Sequence, residues 1–430
     1  VEAAEFPRPH EGICLSDESV PLLRELGLLN AVQEAGFHRR RITKVVWDEP
    51  GARIVPRSGL HLDRGSFDQL ALEHAIAKGV VCVQPAKALR PIRRSSGGWT
   101  VPVRTVGGKA GIKCIFVVDA SGRRSVMRLS RVRLSPPLVA IHAQWSLIRK
   151  PAFDGMIAAG PDAWCWFAQT SSRTAMVSLF TRPEELRSKA ASQVDEIYQA
   201  LMAVLPELKD CHLGELLRHP VSCEASSSAV EDPISTNHVC VGDASMTVDP
   251  LASQGVHLAM TSGLQAAAAV HTLLDHPQDG AHAMSFYVDR QQERRRLYVE
   301  RTAEMYWQVA QRRPSLFWTE RAEKRPEPVQ PISVMPLDPE DLIQLCHQSA
   351  LRPTPILDDG RIRCGPALHH PNLPRPIAYV HGVPITQLLA SVADPLSYGQ
   401  LLANWQALLP GPIAHQTFHS LWTAGTLVRA

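Results

Sequence analysis

The stretch that decides the fold is VCVGDASMTVDPLASQGVHLAM, residues 239–260. It reads as a short buried strand, a tight Gly242-Asp243 turn, an Asp249-Pro250 loop and a helix starting near Gly255. An acid at the end of a strand can accept hydrogen bonds from sugar-type hydroxyls. Free N–H groups at a helix start favour negative charge on a neighbouring ligand. Gly255 has no side chain to hold a flat ligand away from the backbone. Taken alone, the pattern also describes a strand–turn–helix corner that binds nothing.

Working outward, IFVVDASGRRS (115–125) is another strand ending in an acid, Asp119, followed by Gly122, where a chain can pass close to a nucleotide. LDRGSFDQLALEHAIAKGV (62–80) predicts a helix from Arg64 to Lys78 with Phe67, Leu70, Leu72, Ala75 and Ile76 inward. Helical spacing also marks Leu15–Leu29, with Ser16 as N-cap and a stop near Gly27, and the amphipathic stretch Pro183–Leu205. Ile42–Trp47, Ile54–Val55 and Val80–Val83 read as strands, and Trp99–Thr105 with Ile112–Val118 as a hairpin. Val139–Ile148 and Trp164–Phe180 alternate as strands do, while Gly255–Leu274 and Ala283–Arg312 are long helices.

A run of prolines (326, 328, 331, 336, 339) then predicts a linker. Beyond it, Asp341–Ser349 reads as helix, Pro355–Cys364 as a hairpin about Asp359-Gly360, and Ile377–Val380 as a strand, with short helices near Ile385–Ala393 and Tyr398–Leu409.

The chain has 430 residues, 45% hydrophobic and 20% charged, which fits a globular protein of two or three domains and argues against wholesale disorder. A net charge of +3 is too small for a nucleic-acid binder. Without a run of 18 apolar residues, no membrane association is expected. Nine scattered cysteines without a C-x-x-C pair read as reduced thiols of a cytoplasmic protein. His369, His370 and His381 lack a Cys or carboxylate partner at ligand spacing, so they read as polar surface and no metal site is expected.

The 239–260 segment resembles the second FAD motif of flavin monooxygenases and flavin-dependent halogenases: G-D-A, a D-P loop and a Gly-led helix. The resemblance implies that Asp243 binds the ribityl chain and that Pro250, Ser253, Gln254 and Gly255 line the isoalloxazine, whose reduced form carries negative charge near its pyrimidine edge. The 115–125 stretch resembles the D-A-S-G-R-x-S segment of the same superfamily, which adds Asp119 and Gly122 to the cofactor residues. Residues 62–80 resemble its Arg-x-x-Phe-Asp helix, which would turn Arg64 toward the cofactor; a solvated Arg at a helix start is the other reading. SLFWTERA (315–322) resembles the Phe-Trp-x-x-Arg close of its C-terminal helices. The superfamily opens with G-x-G-x-x-G, and none occurs here. VEAAEFPRPHEGICLSDESVPLLRELGLL instead looks like the segment just after that fingerprint, with Glu2 as the acid that holds the adenosine ribose. The expectation is therefore a chain lacking a βαβ opening of about 30 residues. Gly12-Ile13 departs from the family's usual Gly-Glu.

Three residues stand as catalytic candidates. Lys44, in RRRITKVVW, falls where halogenases hold the Lys that directs hypohalous acid, or it is a solvated basic strand start. Trp164 and Trp166 match the two tryptophans of the halogenase Trp-x-Trp-x-Ile-Pro motif, after which the match fails. Alternation puts both indoles on one face of a strand, either walling flavin from substrate or filling a core. The D-P-L-x-S-x-G-V wording is similar to that of halogenases and of flavoproteins that oxidise Trp in a partner oxidase to build a quinone cofactor. GPALHHPNLPRPIAYVHG (365–382) would then be a docking candidate.

The resemblance implies an α/β fold in which an FAD-binding Rossmann-like domain (1–130 and 236–322) is interleaved with a β-sheet substrate domain (131–235). Stretches 40–60 and 90–112 are assignable to the substrate side. A linker (323–340) and a small C-terminal α+β domain (341–430) complete the expectation. The implied function is an FAD-dependent, monooxygenase-type oxidoreductase. Reduced flavin would come from a separate reductase or from NAD(P)H. The substrate would be an aromatic small molecule or a partner-protein Trp. A halogenase, and a partner-binding protein that has lost flavin, are the alternatives.

Overall fold

The computed structural model describes residues 1–7, 13–49, 51–187, 194–322, 337–392 and 394–430. The chain divides into two compact units, Val1–Leu264 with Arg294–Pro326, and Gln265–Glu293 with Glu327–Ala430. Two of the three boundaries fall inside the long helices Gly255–Asp275 and Gly280–Ala310. Most of the proline-rich linker expected at 323–340 lies outside the described residues.

The first unit is mixed α/β and is built on an eight-stranded sheet. Its order is Ile13–Ser16, Arg53–Leu62, His38–Val46, Gly155–Ala159, Trp164–Gln169, Thr174–Thr181, Val139–Leu147 and Leu213–Glu224. Only the pairing of 38–46 with 155–159 is parallel. Alternation sorts side chains onto two apolar faces. On one face Met156, Ala158, Cys165, Phe167, Val177 and Leu179 pack under Ile197 and Tyr198 of the helix Val194–Ala203. On the other, Trp47, Ala159, Trp164 and Phe180 pack with Leu251, Tyr306, Phe317 and Trp318. A sheet buried on both faces needs apolar residues at consecutive positions, and Trp164-Cys165-Trp166-Phe167-Ala168 supplies them.

Beside this sheet the strands Val117–Asp119 and His238–Cys240 run parallel, with Cys240 opposite Asp119. A three-stranded sheet of Arg131–Arg133, Ser228–Val230 and Met246–Thr247 adjoins them. The expected hairpin forms as Trp99–Thr105 with Gly108–Cys114. The helix Arg64–Ala77 begins where expected because Asp63 caps it, accepting from the Ser66 N–H at 3.0 Å.

Four expectations change. Leu15 lies in an edge strand, and its helical neighbourhood splits into Val20–Glu25 and Leu29–Glu34 about Gly27, whose φ is +70°. Of the inward residues proposed for the 64–77 helix, Phe67 is buried but Ile76 is 46% exposed. Val80–Val83 is no strand, and Val81 faces solvent. The proposed helix at 341–349 is the strand Leu342–Leu345, held between Leu396–Ser397 and Leu427–Arg429. Four apolar residues in a row do not separate helix from strand by period. The 183–205 helix is seen as Glu184–Arg187 and Val194–Ala203, and its middle lies outside the described residues.

The second unit is α+β. Its hairpin Ala350–Asp358/Arg361–His369 turns at Asp359-Gly360, as the sequence predicts. Both turn residues have positive φ (+47° and +72°), which Asp and Gly tolerate. Ile343, Leu388, Trp405 and Phe418 centre its core, to which the helix Gly411–Thr423, absent from the sequence reading, contributes. The Ile362 N–H donates to Thr272 Oγ1 at 2.8 Å, tying the hairpin to the 265–275 segment.

Candidate active site

The site begins where two parallel strands end. Asp119 and Cys240 are opposite partners, and the Val241 N–H donates to the Asp119 carbonyl at 2.9 Å, so the D-A-S-G and G-D-A turns leave the sheet edge side by side. Ligands of α/β proteins bind at such carboxyl ends. Gly242 takes φ +54°, and its N–H donates to Ser262 Oγ at 2.8 Å. Asp243 lies exposed beyond it. Arg131 holds the turn from behind: its guanidinium donates to the carbonyls of Ala244 (2.7 Å) and Asp243 (3.2 Å). Burial, then the neighbouring Arg123, lowers the Arg131 pKa. Nothing in the sequence singled out Arg131, since an Arg in a short strand looks like any surface cation.

The loop that follows is equally specific. Asp249 is buried, caps Leu251 N–H at 2.9 Å and accepts from Tyr306 Oη at 3.0 Å. Burial raises its carboxyl to about 6. Tyr306 Oη in turn accepts from Trp164 Nε1 at 3.2 Å. The D-P loop is therefore wired to the Trp164 face of the sheet. A cavity of about 410 Å³ adjoins the loop, walled by Met246, Val248, Asp249, Tyr298, Tyr306 and Arg321. Ser253 turns the chain with φ +52°, and the helix opens at Gly255, where an added Cβ would meet nothing within 4 Å. Gln254 Oε1 is buried with no hydrogen-bond partner among the described residues.

These residues fit a flavin. An open glycine at a helix start admits a flat ring, the first N–H groups suit its negative edge, and the orphaned Gln254 oxygen suits a ring N–H. Pro250, Ser253, Gln254 and Gly255 share this loop, and Asp243 lies on the preceding G-D-A turn, across the short strand Met246–Thr247.

The remaining candidates are placed differently. The Asp119 carboxylate is taken up by its own loop, accepting from Ser121 N–H (3.0 Å), Ser125 Oγ (2.7 Å) and Met127 N–H (3.0 Å). Burial would raise its pKa, but these bonds outweigh it and hold the pKa below the ordinary value. It shapes the turn that carries Gly122, whose φ is +79°. Arg64 is clamped by both carboxylate oxygens of Asp68, at 2.9 and 3.0 Å. Glu2 accepts from Ala4 N–H at 2.9 Å, and its backbone links Val83 and Ala86.

The three catalytic candidates do not converge. Lys44 pairs with Asp210 and lies over the Phe153 ring at 5.6 Å, among the residues beneath the 194–203 helix. Trp164 and Trp166 are on the opposite face with Val45 and Ile157. Trp164 is 1% exposed, stacked on Phe180 with centroids 3.8 Å apart. Trp166 is half-buried and meets the edge of His61 at 6.2 Å. His61, buried, stacks on His38 at 6.1 Å, and the His38 ring bonds Asp154 at 3.3 Å. No group of three or more metal-ligating side chains is found among the described residues. His370, read as surface, is instead buried, since Asn372 N–H donates to it within a tight turn. No helix among the described residues is long and apolar enough to cross a membrane.

Paired strand ends with glycine turns, an open helix start and a separate sheet with an aromatic face define an α/β flavoprotein of oxidoreductase type. The tryptophan halogenase family model matches residues 32–335. A tryptophan 2-halogenase from Chondromyces crocatus is 30% identical over 343 residues, 74% of this chain and 65% of that protein, so the chain spans a little under two thirds of that relative. The flavin-dependent halogenase CmlS superposes with a TM-score of 0.81 at 17% identity, over 99% of this chain and 90% of CmlS. The peptidyl tryptophan dihydroxylase QhpG, essential for tryptophylquinone cofactor biogenesis, superposes with a TM-score of 0.73 at 19% identity, over 98% and 92%. The chain belongs to the tryptophan halogenase family. Members are FAD-dependent oxidoreductases of monooxygenase type, and reduced flavin reaches them from a separate reductase.

Proposed function

We propose that this chain oxygenates an aromatic substrate with FAD, and that its substrate is a Trp side chain of a partner protein rather than a halide acceptor. The observation that carries this reading is the position of Lys44. Directing hypohalous acid requires an amine that faces the substrate, whereas this amine is paired with Asp210 on the face turned away from the D-P loop and Trp166. The likeness in fold to QhpG supports a polypeptide substrate. When bound, FAD supplies the activation of oxygen. Asp243 and the 250–255 loop bind and orient it, and the Trp47–Trp164–Trp318 packing excludes water behind the loop. The docking surface for the partner belongs to the stretch at 365–382. Halogenation is the second reading, favoured by the 30% identity to a tryptophan 2-halogenase.

The test is to add FAD to the protein, look for a bound-flavin absorption band, and assay indole and Trp peptides with a flavin reductase, with and without chloride or bromide. Oxygenated product independent of halide, unchanged in Lys44→Met, is expected. Halide-dependent product that Lys44→Met abolishes, with flavin oxidation intact, selects the halogenase. Flavin uptake with neither oxygenated nor halogenated product rejects both.

A further inference from the structure

The Trp164 face of the large sheet carries a histidine and a cysteine that the flavin site does not use. Cys223, on the edge strand Leu213–Glu224, is exposed and lies opposite Ala140. His142, two residues along the neighbouring strand, points to the same face as Ala140. Its Nε2 is 3.4 Å from Cys223 Sγ, and its Nδ1 is 2.7 Å from Oγ of Ser178, its direct partner on the next strand. Ser178 is 5% exposed, so the sheet fixes that hydroxyl. The His142 ring also meets Phe180 edge-on at 6.2 Å, and Phe180 stacks on Trp164. Ala140, Phe180 and Trp164 share one apolar cluster with Leu251 of the D-P loop, which puts the thiol on the loop's side of the sheet. A nucleophile within reach of a base, with that base oriented by a third group, is the arrangement that activates a thiol. With Nδ1–H donating to the Ser178 hydroxyl, Nε2 is the nitrogen that accepts from the thiol. Burial instead opposes the thiolate at the interior cysteines, raising Cys14 to about 11 and Cys165 and Cys240 to about 12. Cys346 stands 4.0 Å from the ring of its neighbour His347, at the limit of reach.

We propose that Cys223 is a peroxide-reactive thiol, with His142 as its base and Ser178 as the residue that positions the base. The sulfur passes its proton to His142 Nε2 and attacks one oxygen of hydrogen peroxide. The O–O bond breaks and an S–O bond forms. Sulfur is oxidised to the sulfenic acid, and the imidazolium returns the proton to the departing hydroxide, which leaves as water. Hydrogen peroxide is what reduced flavin and oxygen yield when no substrate takes up the oxygen, so the family's chemistry supplies the oxidant. The assignment goes beyond the substrate proposed above and does not rest on it.

The experiment treats the full chain at neutral pH, without added flavin, with iodoacetamide and separately with hydrogen peroxide plus dimedone, which traps sulfenic acid. Peptide mass spectrometry reads each cysteine, and Cys364, also exposed, is the internal control. A free thiol is only a few per cent thiolate near neutrality. Full ionisation, less the lower nucleophilicity of a more acidic thiol, leaves Cys223 reacting roughly tenfold or more faster than Cys364. Dimedone should mark Cys223 ahead of Cys364. His142→Gln should bring Cys223 down to the Cys364 rate. Ser178→Ala should slow Cys223 with the Cys364 rate unmoved, whereas a merely loosened sheet would expose Cys223 and not slow it. Equal rates at the two cysteines in the wild type, no dimedone adduct at Cys223, or a Cys223 rate indifferent to both substitutions overturns the proposal. The wild-type comparison needs no variant to fold. None of these measurements uses flavin, so failure of the thiol and failure of the oxidoreductase reading are told apart.

Discussion

Asp249 holds its proton to a higher pH than an ordinary carboxyl because burial opposes its charge, and the consequence for stability has a definite sign. The folded carboxyl titrates near 6, while the unfolded one loses its proton near its ordinary value, about 4. Between those values the folded state binds more protons, so this residue's contribution is largest below pH 4, falls as pH rises to 6 and is flat above. Asp249→Asn should remove that slope and stabilise the protein at pH 8 by on the order of 1–3 kcal/mol relative to pH 4, read from denaturant midpoints. His61 acts with opposite sign. Its lowered pKa means that stability is lost as pH falls from about 6.5 toward 4. His61→Phe should flatten that limb while leaving the alkaline side unchanged.

At the scale of elements, the strand–turn–helix corner separates two glycines that look alike in sequence. Gly242 sits at φ +54° with an added Cβ 3.3 Å from Ala259 Cβ, so Gly242→Ala should cost about 1–2 kcal/mol of stability. Gly255 has open space at its Cβ, so Gly255→Ala should leave the melting temperature unchanged and weaken FAD binding, measured by flavin fluorescence. This corner was readable from sequence because its signals are local: an apolar strand, a Gly-Asp turn, a Pro loop and a helical period. The sheet was not, since its order depends on pairings such as 38–46 with 155–159 that span a hundred residues of chain. Lys44 shows the limit most plainly. Val45, the next residue, lies on the opposite face. The register shift between Arg40 and Ile42 interrupts the regular pairing of this strand with its neighbour, so spacing alone does not say which face Lys44 takes.

For the whole molecule, the second unit takes residues 265–293 as well as the C-terminal stretch, bound through Thr272 to Ile362 and His271 to the Gly360 carbonyl at 3.1 Å. A chain ended at Ala322 should therefore expose apolar surface on those helices, melt lower than the full chain and be cut first between 265 and 293 in limited proteolysis. The first unit has a different dependence on chain order. Its neighbouring strands 117–119 and 238–240 enclose five strands of the large sheet between them in sequence, yet stand one strand spacing apart, about 4.8 Å. The corner thus asks that whatever is inserted there leave and return at the same spot and keep the Trp164 face against which Leu251 and Tyr306 pack. Loops and side chains elsewhere on the inserted strands can be exchanged, lengthened or reshaped without moving the two turns at the strand ends. On the function proposed above, divergence of specificity and retention of chemistry would fall to separate stretches of one gene.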